Sequence, residues 1–235
     1  MYIYYLPMHS YIWNETDSFL SNFVSINRQK KIQQYVYDID RKLSLYAGLL
    51  VRMSISQLTN TTPNNLVFGF RERYKPCLLS YPTLEFNLSH TRNAILCCVS
   101  SKSMVGCDIE QIVDPPFEIM KDVFHYDEIK YIYSSPYSDA AITFFKIWTR
   151  KEAYLKQTGI GLDSNLYSYN TLSPNLSSLL FTWQSDSYIC SVCGNDLNDL
   201  NEHIFKQVSE SDIINFFQMI DYYKFSRDIV PQKHT

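Results

Sequence analysis

A chain of 235 residues holds one large domain or two small ones packed together, and it can bury a core without disulfides or a structural metal. Its 46% apolar and 19% charged residues are those of an ordinary globular protein, and a net charge of −3 argues against a dedicated nucleic-acid binder. The start, Met1 to Pro7, lacks the basic and long apolar regions of a signal peptide, and no apolar run has the length of a membrane span. The expectation is therefore a cytoplasmic protein with no membrane and no nucleic-acid partner.

Met1 to Leu6 reads as a strand. Residues 16 to 36 read as helical, with Phe19, Phe23 and Ile26 at helix spacing. Asp40 is placed to cap a second helix running to about Leu58, whose Tyr46, Leu49, Leu50 and Met53 form a buried stripe. The run Thr59 to Asn65 breaks the pattern. Strand-like pieces follow at Leu66 to Arg71, Glu85 to Ser89, Ala94 to Ser100 and Val105 to Ile109. The short link Ser101-Lys102-Ser103 suggests that the last two form a hairpin.

The second half repeats this outline. A helical stretch with Phe117, Met120 and Phe124 precedes a turn at Ser134-Ser135-Pro136. A long amphipathic helix from about Ser138 to Gln157 stops at Thr158-Gly159-Ile160-Gly161. Strands near Tyr167, Leu179 to Gln184 and Tyr188 to Cys193 follow, then a final strand and helix. Nineteen tyrosines and 14 phenylalanines imply an aromatic core. The six cysteines fall mostly in apolar runs, and the lone Cys190-x-x-Cys193 has no second ligand pair for zinc, so these read as buried thiols.

Four segments have the residue types for chemistry. On a strand, Asp108 and Glu110 project to one side while Ile109 turns to the core. Two such carboxylates either lie in solvent or share a cation, and oxygen ligands of this kind suit Mg²⁺. Trp148, Glu152 and Lys156 share one helix face. Glu152 and Lys156 either form a simple i, i+4 ion pair or add a third carboxylate and a phosphate-neutralising cation. Phe86 and Leu88 oppose Asn87 and Ser89 on a strand that ends at His90, a structural imidazole or a phosphate donor. Arg73-Tyr74-Lys75-Pro76 is a basic loop. The first third of the chain is rich in Lys and Arg, whereas Asp108 to Glu128 is mostly acidic, a split that suits an anionic ligand beside a metal.

Together Lys75-Pro76, Phe86-Asn87-Leu88-Ser89-His90, Gly106-Cys107-Asp108-Ile109-Glu110 and Trp148-Thr149-Arg150-Lys151-Glu152-Ala153 with Lys156 resemble, in order and spacing, the 4′-phosphopantetheinyl transferases of the surfactin-synthetase-activating type. The likeness extends over Ser25 to Lys31 and Leu43 to Arg52. It implies an α/β (α+β) pseudo-dimer of two similar halves, residues 1–101 and 102–235, each with a small, mainly antiparallel sheet on a long helix. The active site would lie in the cleft between them.

The resemblance further implies a monomeric enzyme that moves phosphopantetheine from coenzyme A to a serine of an apo carrier protein. It implies Mg²⁺, or Mn²⁺ in its place, on Asp108, Glu110 and Glu152. It places Lys75, Ser89, His90, Asp108, Lys151 and Lys156 around the nucleotide and phosphates, with Arg28, Lys31 and Ser44 near the 3′-phosphate. Glu152, Lys156 and His90 would carry catalysis, and Phe117 to Tyr137 would contribute to carrier docking. Tyr74 departs from the family's usual glycine, and Thr91-Arg92-Asn93 from its small residues after the histidine. A coenzyme A- or carrier-binding homologue without activity, and a metal-dependent nuclease, are the competing readings.

Overall fold

The computed structural model describes residues 1–71, 75–161, 165–195, 197 and 205–228, the last seven as backbone only. Its strands are β1 (Tyr2–Pro7), β2 (Phe68–Phe70), β3 (Pro76–Leu78), β4 (Glu85–Thr91), β5 (Ala94–Ser100), β6 (Gly106–Gln111), β7 (Leu180–Ser185), β8 (Tyr188–Cys193) and β9 (Phe205–Gln207). Its helices are α1 (Glu15–Leu20), α2 (Ile26–Gln34), α3 (Asp38–Thr59), α4 (Met120–Val123), α5 (Tyr126–Ser134), α6 (Ala140–Thr158), α7 (Pro174–Ser177) and α8 (Glu210–Asp228).

Alternation along the strands sorts their side chains into layers. The four-stranded sheet runs β4-β5-β1-β9. One of its faces, with Tyr4, Leu6, Phe86, Ile95, Cys97 and Val99, packs with the apolar stripe of α3. Its other face, with Ile3, Tyr5, Leu96 and Cys98, meets Cys107, Ile109, Cys190 and Val192 of the three-stranded sheet β6-β8-β7. The far side of that second sheet carries α6, where Thr149 of the helix and Thr182 of β7 both hydrogen-bond the Ser191 hydroxyl at 2.8 Å. The order through the molecule is helix, sheet, sheet, helix.

Each sheet is built alike. A first strand (β1 or β6) leads through short helices to a long helix (α3 or α6), and an antiparallel hairpin (β4–β5 or β7–β8) then places its second strand beside the first. The fold class expected from the resemblance, two similar α/β halves, is thus borne out. The C-terminal segment returns to the first sheet, β9 pairing parallel with β1 and α8 packing on α3.

Several local expectations are corrected. The helix expected over 16 to 36 is two helices: Val24 is extended, and Ser25 caps α2 by accepting from the Arg28 amide. α3 starts ahead of Asp40, at Asp38, whose carboxylate accepts from the Trp13 amide and pairs with Arg41. β5 and β6 are not a hairpin; they are adjacent in sequence but belong to different sheets. The region around Tyr167 is a 3₁₀ turn, Leu166–Ser168. α5 was not anticipated, although His125 and Glu128 form a capping box at its start. All six cysteines are buried thiols.

Candidate functional site

β4 and β6 are edge strands of different sheets, and they meet side to side through side chains. Asn87 Oδ1 accepts the Cys107 amide at 3.0 Å, the Ser89 hydroxyl donates to Asp108 Oδ1 at 2.8 Å, and the Thr91 hydroxyl donates to Glu110 Oε2 at 3.2 Å. Every second residue of β4 thus reaches across to β6, while Phe86 and Leu88 stay in the core beside α3. Strand alternation makes this seam polar, and the carboxylates Asp108 and Glu110 stand in it.

α6 closes over the seam because Gly106 permits it. A methyl group there would lie 2.0 Å from the Ala153 carbonyl oxygen and 2.4 Å from the Gln157 nitrogen. This close approach brings the Lys156 ammonium to 2.6 Å from Asp108 Oδ1 and 2.9 Å from the Ser89 hydroxyl. Asp108 is buried, and its second oxygen, Oδ2, has no hydrogen-bond partner. Burial would lower the Lys156 pKa, but the Asp108 charge and hydrogen bond overcome this and raise it.

Glu110 and Glu152 respond to the same crowding. Burial first, then the Asp108 charge, pushes the Glu110 carboxyl up to about 7, with a smaller push from Glu152. Glu152 is likewise raised by burial and by Asp108, against the opposing Lys156. Glu110 therefore senses both Asp108 and Glu152, and Glu152 senses Asp108. Among the described residues, however, no three metal-ligating side chains are gathered into a ready-made cluster. Trp148, one turn before Glu152, lies half-buried in a ring cluster and stacks on Phe144.

His90 is the last residue but one of β4 and its side chain is exposed, although partial desolvation, then the charges of Lys156, Lys31 and Arg28, lowers its pKa. Arg28 donates to the Ser44 carbonyl at 2.8 Å, while Lys31 on the same helix is exposed. Arg28 also lines a cavity of about 260 Å³ between α2, α3 and the β2–β3 hairpin, with Arg52, Phe68, Pro76 and Leu88 among its walls. Burial and the neighbouring Arg28 both lower the Arg52 pKa, and the two arginines make the cavity cationic.

Two expected ligand contacts go elsewhere. Lys151 is buried with its ammonium 2.9 Å from the Glu128 carboxylate, donating also to the Leu166 and Tyr169 carbonyls. Glu128 in turn accepts from the Thr171 amide and hydroxyl and from the His125 amide. A step of one residue turns a helix by about 100°, so Lys151 leaves the seam that Glu152 faces. Lys75 donates to the Gln157 carbonyl at 2.8 Å and the Val105 carbonyl at 3.4 Å. Arg73 and Tyr74 lie outside the described residues, and Arg92 is exposed.

Asn87, Thr91 and Gly106 are the seam residues that reading the sequence for chemistry missed. Asn87 and Thr91 share the strand parity of Ser89, which was the available signal. In the region from Phe117 to Tyr137, Met120, Phe124 and Ile132 are buried and Ile129 is half-buried, while Tyr126, Tyr131, Tyr133 and Tyr137 are exposed.

A family model described as the 4′-phosphopantetheinyl transferase superfamily matches residues 104–207. A second, described as 4′-phosphopantetheinyl transferase, N-terminal, matches residues 13–102. The chain is 34% identical over 153 residues to the 4′-phosphopantetheinyl transferase gsp of Aneurinibacillus migulanus, covering 63% of each chain. It is 28% identical to the transferase Sfp of Bacillus subtilis, over 72% of this chain and 75% of the relative. It is 33% identical to the transferase AcpT of Salmonella typhimurium, over 57% of this chain and 70% of the relative.

Proposed function

Because this chain belongs to the 4′-phosphopantetheinyl transferase superfamily, we propose that it transfers the 4′-phosphopantetheine of coenzyme A to a serine hydroxyl of an apo carrier protein. The released product is 3′,5′-ADP. The observation that carries this reading is the Ser89–Asp108–Lys156 cluster, buried where two edge strands meet and flanked by two further carboxylates.

In this reading residues 1–101 form the nucleotide side and 102–235 the metal side, with the reaction between them in a monomer. Arg28, Lys31 and Ser44 border the 3′-phosphate. The cationic, aromatic-walled cavity beside Arg28 suits a nucleotide end. The cytosol is the compartment, which six unpaired thiols suit. No helix among the described residues is long and apolar enough to cross a membrane.

Mg²⁺, with Mn²⁺ as a substitute, is assigned to Asp108, Glu110 and Glu152. The buried, unpartnered Asp108 Oδ2 and the two carboxyls raised by burial and by the Asp108 charge are what a cation would relieve. Bound there, it supplies Lewis-acid neutralisation of pyrophosphate oxygens.

The chain's own groups do the rest. The carrier serine oxygen bonds to the phosphorus bearing pantetheine as the bridging P–O bond of the pyrophosphate breaks, and the electron pair leaves with 3′,5′-ADP. The serine proton passes to the Glu152 carboxylate, whose raised pKa brings it nearer to neutrality. Lys156 offsets charge that grows on the leaving phosphate, and the His90 imidazole N–H donates a hydrogen bond to it. Ser89 holds the Lys156 ammonium in place.

Chromatography of reactions containing coenzyme A, Mg²⁺ and apo acyl, peptidyl or aryl carriers tests the proposal. Carrier-dependent 3′,5′-ADP is expected. Coenzyme A binding with no 3′,5′-ADP on any carrier would instead mark a binding homologue.

A further inference from the structure

The Lys75-Pro76 pair belongs to the hairpin on the nucleotide side, yet the Lys75 ammonium is spent on the other half of the molecule. It donates to the carbonyl of Gln157 in the last turn of α6 and to the carbonyl of Val105, just ahead of β6. Those two segments are the ones that Gly106 brings into closest approach. The last carbonyls of a helix have no partner within it, and a cation there also meets the favourable end of the helix dipole. The Lys75 stem packs beside the glycine that ends α6: Gly159 has φ +70°, and a Cβ on it would lie 3.6 Å from Lys75 Cδ, an ordinary contact distance. Leu155 is already served by the Gly159 amide, so Lys75 completes the cap rather than duplicating it.

Gln157 follows Lys156 directly. A shift in the last turn of α6 moves the ammonium that holds Asp108 and Ser89. At its other end, Lys75 is continuous with Pro76, which lines the cavity beside Arg28. One side chain therefore joins the wall of the nucleotide-side cavity to the turn that aims Lys156.

We infer that Lys75 is a positioning residue: it acts through Lys156 by clamping the end of α6 to β6, and its ammonium does not itself bind coenzyme A. The kinetic part of this inference rests on the transferase reading above. Burial lowers the Lys75 pKa, consistent with an ammonium enclosed by protein.

The test is a double-mutant cycle with a structural readout beside it. Lys75→Met, which keeps the stem and loses the donor, should lower kcat roughly tenfold with little change in KM for coenzyme A. In a Lys156→Ala background the same change should have no further effect, because its target is gone. Lys75→Arg, which keeps a donor for both carbonyls, should recover most of the loss. A rise in KM for coenzyme A with kcat unchanged, or losses that multiply in the double variant, would overturn the inference.

Hydrogen exchange of the amides of residues 155 to 159 is the independent arm. It should quicken in Lys75→Met and return toward the wild-type rate in Lys75→Arg, and unchanged protection in Lys75→Met would overturn the clamp. Should Lys75→Met not fold, Lys75→Leu, which also lacks a donor, gives the same comparison. A wild-type chain that releases no 3′,5′-ADP defeats the transferase reading alone, and the exchange arm still decides the clamp.

Discussion

Lys151 and Glu152 are neighbours in sequence but face different surroundings. Lys151 is enclosed with Glu128 and two carbonyls, whereas Glu152 turns to the seam beside Asp108. Removing one partner of a buried ion pair strands the other charge, so Lys151→Met should cost about 3–5 kcal/mol in denaturant unfolding. The enzyme that remains folded should keep its KM for coenzyme A. Glu152→Gln should do the reverse, lowering turnover by roughly 10²–10⁴-fold if it removes the base, with a midpoint of unfolding close to wild type. His90 supplies a pH test. Its pKa is lowered by crowding and by nearby cations, so between the usual imidazole value and the lowered one the unfolded chain binds more protons than the native state. Stability therefore falls as pH drops through that window, and His90→Gln should flatten the slope just below the usual imidazole value of about 6.5. Reading residues by type singled out Asp108, Glu110 and Glu152, which share the seam, whereas the ammonium groups of Lys75 and Lys151 are engaged with carbonyls and with Glu128. An ammonium group can donate to a carbonyl or to a phosphate, and residue type alone does not say which lies within reach.

At the scale of elements, the site exists because two edge strands and one helix are allowed to crowd together. Gly106 is the permissive residue, and a Cβ there meets backbone atoms of α6 rather than a movable side chain. Gly106→Ala should destabilise the chain by about 1–3 kcal/mol through overpacking, and should lower activity beyond the loss of folded protein, since Lys156 would be pushed from Asp108. Calorimetry and kinetics on the same preparation separate the two effects. Most strands and both long helices were legible from periodicity, because alternation and the 3.6-residue repeat are local signals. The seam was not. Ser101-Lys102-Ser103 suggests a hairpin, but β6 pairs with β8, more than 75 residues downstream, and touches β4 through side chains. α5 was hidden because its cap is His125, an unusual residue in that role.

For the whole molecule, the repeated unit of strand, long helix and hairpin explains why the proposed site draws on both halves: Ser89, His90 and Thr91 from the first, and Asp108, Glu110, Glu152 and Lys156 from the second. The outline of that repeat was visible in the order of predicted elements, although the two halves show little direct repetition. The return of β9 and α8 to the first sheet depends on long-range pairing that no local pattern announces. The thiols lie in buried positions, several of them between the two sheets, where burial raises most of their pKa values, Cys193 up to about 12. A thiol reagent should accordingly leave the native chain unlabelled and modify all six cysteines after denaturation.

The central claim is that the seam of Asp108, Glu110, Glu152 and Lys156 moves phosphopantetheine to a carrier serine. The mass of an apo carrier protein, measured after incubation with the chain, coenzyme A and Mg²⁺, tests this most directly. The account predicts a gain of one phosphopantetheine group on the serine with the wild-type chain, and no gain with Asp108→Asn or without Mg²⁺. An unchanged mass across acyl, peptidyl and aryl carriers, or full modification by Asp108→Asn, would contradict it.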